Sequence, residues 1–364
     1  MNVILDWLKR WFSDPQAIAL LMVLGVGLAI ILVFGGYLAP VIAAVVLAYL
    51  LEGPVAKLES YSVPRRWSSL GTSFALIVGF VLVSFALVPV LTRQASQFMV
   101  EIPQLLVQAQ AYLMALPERY PAMFTPAQIE EILAQVLAEI GSLRKFLVSN
   151  SLLVGVGLLY LAIYLVLVPL LVFFFLKDKS VIKRWSLQYI PHGNPLIRHV
   201  WEEVDRQLAN YVRGKFVEIL VVWGVTYVVF AMLGLNYAML LSVLVGLSVL
   251  VPYLGALVVT LPVVFVAYAQ WGLQADFVYV VVAYGIIQGL DGNVLVPLLF
   301  SEAVDLHPVA IITAVLFFGG LWGFWGVFFA IPLATVVNAV LRAWPRNTAS
   351  AETAATDSGT SSQS

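Results

Sequence analysis

Between residues 216 and 341 the chain carries five carboxyl side chains and one imidazole, on Glu218, Asp276, Asp291, Glu302, Asp305 and His307, and no Lys or Arg. A carboxylate set in apolar sequence can exchange a proton or hold a cation. Either event relieves the cost of a charge in a low-dielectric medium, about 2.5–3.5 kcal/mol at a membrane centre on insertion scales. Asp291 is the strongest candidate. It lies in Gln288-Gly289-Leu290-Asp291-Gly292-Asn293 with apolar sequence on both sides. An unwound turn there would let the amides of Gln288 and Asn293 line a pathway beside the carboxylate. Asp-Gly-Asn is equally good chemistry for a helix end near the headgroups, and both readings stand. Glu218 follows Lys215 by three residues at the start of an apolar run. That spacing favours an ion pair at the membrane boundary, with a coupling role as the alternative. Glu302, Asp305 and His307 precede Pro308 in a short polar stretch, which reads as a solvated loop able to gate.

Catalysis has no comparable support. The chain has no Cys, and its histidines are His192, His199 and His307. Thiolate nucleophiles, disulfides, thiolate metal sites and a histidine-rich metal centre are therefore excluded. There is no Gly-x-Ser-x-Gly turn, and Asp291 lacks the glycine context and opposed carboxylate of a membrane aspartyl protease. No enzymatic activity, metal or cofactor is expected.

The elements that hold these groups are unusual. Residues 236–270 and 308–341 are apolar stretches of about 35 residues, about 50 Å as helix, too long for one upright span and short for two. The first is interrupted by Val251-Pro252-Tyr253-Leu254-Gly255. The second is interrupted by Gly319-Gly320-Leu321-Trp322-Gly323-Phe324-Trp325-Gly326 and then Pro332. Pro252, Gly255, Gly319, Gly320, Gly323 and Gly326, with Gly292 beside Asp291, are the helix-break or gating candidates. Backbone broken at membrane depth must face protein or a wet cavity. Each long stretch follows a shorter run, a weak sign of a duplicated unit. Gly285 and Gly289, like Gly319 and Gly323, have the spacing of close helix contacts.

Composition sets the solvent. Hydrophobic residues make up 62% of the 364 residues and charged residues 11%, against about 45–50% apolar and about 25% charged in soluble domains. Most of the chain is surrounded by lipid. A water-soluble enzyme and a disordered hub are excluded, and a net charge of −1 provides no basic field for nucleic acid. The expected fold is an all-α, polytopic integral membrane protein of about eight transmembrane helices, with broken or re-entrant helices in the C-terminal half. The apolar runs are residues 17–34, 37–51, 71–91, 152–176, 216–235 and 277–300, besides the two long stretches. The first is read as an uncleaved anchor, forming a hairpin with the second.

The chain divides into membrane helices at 1–91, an extracytoplasmic amphipathic segment at 92–150, a membrane helix at 151–176, a basic linker at 177–215, a membrane core at 216–342 and a disordered tail at 343–364. Basic residues orient it: Lys9, Arg10, Lys57, Arg65 and Arg66 fall on one side if the first two runs form a hairpin, eight more lie in 177–215, and Arg342 and Arg346 follow the last run. Both termini are therefore expected in the cytoplasm. Thr125, Pro126 and Gln128 form a helix start signal in the extracytoplasmic segment. Its apolar stripes would pair with each other, lie on the leaflet or pack against a second subunit, so a homo-oligomer is expected. In the linker, Trp201, Val204, Leu208 and Val212 keep helical spacing after the interruption at Pro191–Pro195, as an interfacial helix would.

The segments Tyr211-Val212-Arg213-Gly214-Lys215, Val251-Pro252-Tyr253-Leu254-Gly255-Ala256, Gln288-Gly289-Leu290-Asp291-Gly292-Asn293-Val294-Leu295-Val296-Pro297, Leu306-His307-Pro308 and Gly319-Gly320-Leu321-Trp322-Gly323-Phe324-Trp325-Gly326 together resemble the AI-2E (autoinducer-2 exporter) transporter family, and most closely its PerM-like permease branch. The likeness is dense over residues 205–345 and looser from residue 17. Lys215 stands where many members of that family have Gln, a departure that fits the same branch. The resemblance implies a multi-pass permease of a bacterial inner membrane that moves a small solute such as autoinducer-2, or exchanges sodium for protons. It transfers no settled set of functional residues. The readings carried forward are proton- or cation-coupled transport with a small-molecule or ion substrate, a cation channel, and a non-transporting scaffold.

Overall fold

The computed structural model describes residues 15–114, 153–188, 195–300 and 306–343, and isolated positions 127, 131, 134 and 135. The start signal at Thr125, Pro126 and Gln128, the charges of Glu302 and Asp305, and the C-terminal tail lie outside the described residues. Among the described residues every regular element is helical. Lipid imposes this, because an α-helix satisfies its backbone hydrogen bonds internally. Among the described residues six helices are long and apolar enough to cross a membrane, and two shorter apolar helices, Tyr164–Lys177 and Ala238–Ser248, accompany them. Large apolar side chains point outward along these helices: Phe85 is 79% exposed and Leu261 72%. That pattern is stable with hydrocarbon outside. The protein is a polytopic all-α membrane protein.

The elements in order are α1 (Pro15–Ser60), α2 (Arg65–Met114), α3 (Leu153–Lys177), α4 (Lys179–Gln188), α5 (Pro195–Met232), α6 (Ala238–Ser248), α7 (Leu254–Trp271), α8 (Ala275–Leu290), a π-helix (Asp291–Leu295), α9 (Val296–Phe300), α10 (Pro308–Phe328) and α11 (Ala330–Ala343). They group into two compact units, one of residues 40–178 and 213–301, the other of residues 1–39, 179–212 and 302–364.

In the larger unit, Ala44 and Val55 of α1 pack with Val168, Val172 and Leu176 of α3. Arg65, at the first position of α2, ties these helices together. Its Nε donates to the Leu176 carbonyl at 2.9 Å, and its guanidinium reaches Glu52 at 3.2 Å and Glu59 at 3.1 Å. A second core joins Val222 and Phe230 of α5 to Leu241 and Val245 of α6, Val259 and Val263 of α7, and Val280 and Tyr284 of α8.

The stretch 236–270 proves to be a hairpin. The 11 residues of α6 make about 16 Å, half a bilayer core, and the 18 of α7 about 27 Å. The open ends meet. The Gln270 side chain accepts from the Asn236 N–H at 2.8 Å and donates to the Gly234 carbonyl at 2.8 Å. Gln94 of α2 accepts from the Leu240 N–H at 2.8 Å, satisfying a donor in the first turn of α6. Beside it, Phe98 packs edge-to-face on Tyr237, with centroids 5.4 Å apart. At the tip, Tyr253 takes a left-handed φ of 62°, and Gly255 lies so close to the Ser248 carbonyl that a Cβ would collide with it.

In the smaller unit the stretch 308–341 is broken the same way. Gly323 has φ 59° and ψ −135° within α10, and α11 begins at Ala330 and packs on α10. A Cβ on Gly326 would strike the Phe318 carbonyl, and one on Gly319 would lie 2.8 Å from Val327 Cγ2.

Two expectations are corrected. No turn occurs between the runs 17–34 and 37–51: α1 continues through Gly35 and Gly36. A turn in lipid would strand backbone groups, whereas helical glycines keep their bonds. The hairpin expected between these two runs is absent. Nor do Trp201, Val204, Leu208 and Val212 form a separate interfacial helix; α5 runs from Pro195 to Met232 without a break. The switch from polar to apolar sequence near residue 216 is a change of surroundings along one helix.

The tip geometry predicts that Gly255→Ala destabilises the purified protein by about 1–3 kcal/mol through backbone overpacking. Gly285, with open space around its Cβ position, tolerates Ala with no loss. Denaturant unfolding in detergent compares them; equal stability of the two variants would contradict the packing described.

Candidate functional site

The polar cluster of the larger unit starts on α5. Lys215 and Glu218 are one helical turn apart, and both are buried, at 4% and 2% exposure. Lys215 Nζ lies 2.8 Å from Glu218 Oε2 and donates to the Val249 carbonyl at 2.7 Å. It also sits 5.4 Å from the centroid of the Phe300 ring. The ammonium thus has a carboxylate, a carbonyl and an aromatic face, which together offset the loss of water. Gly214 makes room: a Cβ there would lie 2.6 Å from Phe300 Cε1. Val249 is the C-cap residue of α6, so the lysine also neutralises a helix C-terminus at the hairpin tip.

The ion pair expected from the spacing of Lys215 and Glu218 forms, and both partners are buried. Glu218 is enclosed by protein, and its partner is a lysine just outside the stretch free of basic residues.

Asp291 faces the same cluster and interacts electrostatically with both Lys215 and Glu218. It is not in an unwound turn, and the helix does not end there. Residues 291–295 wind as a π-helix between α8 and α9. A π-turn inserts an extra residue into the helical register and redirects the side chains beyond it, a feature enriched at functional sites. Asp291 Oδ1 is buried without a hydrogen-bond donor, as is Gln288 Nε2 without an acceptor. The position along each helix is consistent: Lys215 stands 17 residues before the end of α5 at Met232, and Asp291 16 residues after the start of α8 at Ala275, about 26 Å and about 24 Å of helix.

Tyr284, Gln288 and Asp291 share one face of α8 and its extension, at i, i+4 and i+7. The Tyr284 hydroxyl donates to the Ala256 carbonyl at 3.2 Å and accepts from Thr260 Oγ1 at 3.2 Å, both on α7. Sequence reading missed Tyr284, Thr260 and the buried role of Lys215. The spacing of Tyr284, Gln288 and Asp291 was a visible signal for the first; nothing local marked the other two.

Other candidates separate from the cluster. Asn293 is exposed, and its Nδ2 donates to the Gly289 carbonyl at 2.8 Å, so it braces the π-helix. Gly292 is exposed with open space. Pro252 belongs to the α6–α7 tip, where its carbonyl accepts from the Leu254 N–H at 2.7 Å. His307 caps α10, accepting from the Val309 N–H at 3.3 Å, and Asp276 sits in the first turn of α8, where a helix favours negative charge. Gly319, Gly323 and Gly326 allow the α10–α11 break, while Gly320 has open space. In that smaller unit Trp322 stacks on Phe329 at 6.2 Å and covers Gly35, and the Tyr211 hydroxyl donates to the Phe328 carbonyl at 2.8 Å. Among the described residues no group of three or more His, Cys, Asp or Glu could hold a metal ion.

One lysine against two carboxylates leaves a formal charge of −1 when all three are ionised. Such a cluster binds one further positive charge, as a proton or a cation. The pairing itself is testable. Glu218→Ala, which leaves the ammonium short of a partner, costs about 3–5 kcal/mol in detergent unfolding, and the double variant Lys215→Met, Glu218→Leu restores most of that loss. A double variant no more stable than the single one would contradict a desolvated pair.

Residues 18–346 match the model of the AI-2E family transporters. The chain is 46% identical over 348 residues to a protein of Escherichia coli (strain K12) named as the permease PerM, covering 95% of this chain and 98% of that one. It is 25% identical over 347 residues to a protein of Bacillus subtilis (strain 168) named as the transport protein YueF, covering 91% and 92%. With its helical hairpins, buried charges and near end-to-end match in view, the chain belongs to the AI-2E transporter family of membrane permeases.

Proposed function

We propose that this permease is a secondary transporter of the bacterial inner membrane, driven by protons or another cation, with Asp291 as the coupling group and the Lys215–Glu218 pair as its fixed counter-charge. The observation that carries the reading is the buried, donor-free Asp291 Oδ1 in a π-helix beside a lysine already engaged by Glu218 and the Val249 carbonyl. A carboxylate needed only for structure finds donors; one that takes up and releases a positive charge is better left without fixed ones. Gln288 completes the polar lining. The solute is small, and the family's name makes autoinducer-2 export the first flux to assay.

A broken hairpin next to a titratable cluster suits alternating access better than an open pore. Discontinuous helices line transporter sites, and their short halves can swing without exposing backbone to lipid. The Lys215–Val249 contact links the charge of the cluster to the hairpin tip.

Proteoliposomes under imposed pH and sodium gradients test this, with autoinducer-2 and a panel of small solutes as cargo. The expected result is gradient-driven flux, abolished by Asp291→Asn while expression and monodispersity persist. Undiminished flux in that variant would end the coupling role. Currents indifferent to the gradient would replace the carrier with a channel.

A further inference from the structure

We propose that Lys215 determines which ion the cluster takes: its ammonium occupies the oxygen ligands that an alkali cation would need, and so restricts the site to protons. The inference rests on the coupled-transport reading and specifies the ion for it.

Glu218 supplies Oε2, and the break after α6 supplies the Val249 carbonyl. Lys215 Nζ holds both, at 2.8 and 2.7 Å. The Phe300 ring covers the ammonium on another side and sits against Gly214. Asp291 Oδ1 remains without a donor. Gln288 borders it, and Tyr284 and Thr260 are committed to each other and to the Ala256 carbonyl. Asp276 is on the same helix but at its opposite end.

A hard cation takes about six oxygen ligands at the distances of its coordination shell. A proton needs one. With the lysine in place, the free oxygen of Asp291 is enough for a proton and far too little for sodium. The lysine also repels any second cation at short range in a low-dielectric setting. Removing the ammonium changes both terms at once: Glu218 Oε2 and the Val249 carbonyl become free, and two carboxylates then face each other with no fixed counter-charge. With the second oxygens of the two carboxylates and water completing the shell, that arrangement suits sodium. The lysine is thus a tethered cation that fills one half of a cation site and leaves the other half to protons.

The experiment is equilibrium binding of radiolabelled sodium to the purified, full-length protein in detergent, against choline as the competing salt, between mildly acidic and mildly alkaline pH. Wild type and Lys215→Arg are expected to show no saturable binding. Lys215→Gln is expected to gain saturable sodium binding at least about tenfold tighter than any wild-type signal, and to lose it when combined with Asp291→Asn. Saturable sodium binding by wild type overturns the inference, and that arm does not depend on any variant folding. So does a monodisperse Lys215→Gln protein that binds no sodium. If Lys215→Gln fails to fold, Lys215→Met takes its place under the same criteria. Binding and flux fail separately: absence of any flux would remove the transport role and leave the binding result, whereas wild-type sodium binding would remove the inference and leave the transport.

Discussion

A charged ammonium enclosed in a protein that is itself surrounded by hydrocarbon has no water to fall back on. Every contact it loses must be replaced by a fixed group. Lys215 meets that demand with Glu218, the Val249 carbonyl and the Phe300 ring, and much of the larger unit follows from it. Gly214 must be small to admit the ring. The π-helix and α9 must carry Phe300 back to α5. The first hairpin must break where its carbonyl can reach the ammonium. A change at any of these points disturbs the same charge.

The hairpins solve a second problem. A half-length helix in lipid leaves a free end, and its carbonyls need partners. Both breaks bring a glycine against the carbonyl of a residue seven or eight positions earlier, Gly255 on Ser248 and Gly326 on Phe318. Both also place a positive φ just before that glycine, at Tyr253 and Gly323. A left-handed tyrosine is costly, of order 1–3 kcal/mol, and persists only where its surroundings over-determine it. In the first break the surroundings include a lysine bond to the helix end; in the second they are aromatic, with Trp322 on Phe329 and Tyr211 on Phe328. The two tips share a backbone solution and differ in chemistry, and only the first is built around charge.

How much of this could be read from residues alone depended on range. The helical class followed from composition, and the breaks from Pro252, Gly255 and the run of glycines at 319–326, because a stretch of that length has no straight solution in a bilayer. Asp291 stood out because an acid in apolar sequence is costly. What stayed hidden depended on tertiary partners. Lys215 reads as the last basic residue of a polar linker, and only packing shows that it is sealed in. The runs 17–34 and 37–51 read as a hairpin, yet the chain between them stays helical, as the cost of bare backbone in lipid favours. Asn293, one turn from Gly289, bonds within its own helix instead of joining the cluster.

The π-helix at 291–295 connects these themes. A regular α-helix through Asp291 would carry Phe300 onward at 100° per residue. The inserted residue rotates everything beyond it, so the segment that bears the donor-free carboxylate also sets where the Phe300 ring meets Gly214 and the ammonium. Neutralising Asp291 would relieve the electrostatic demand that holds it near Lys215, and closing the wide turn would then move the ring. The lysine in turn holds the Val249 carbonyl at the tip of the hairpin. Charge, helical register and hairpin tip thus meet at Lys215, through the Glu218 carboxylate, the Phe300 ring and the Val249 carbonyl.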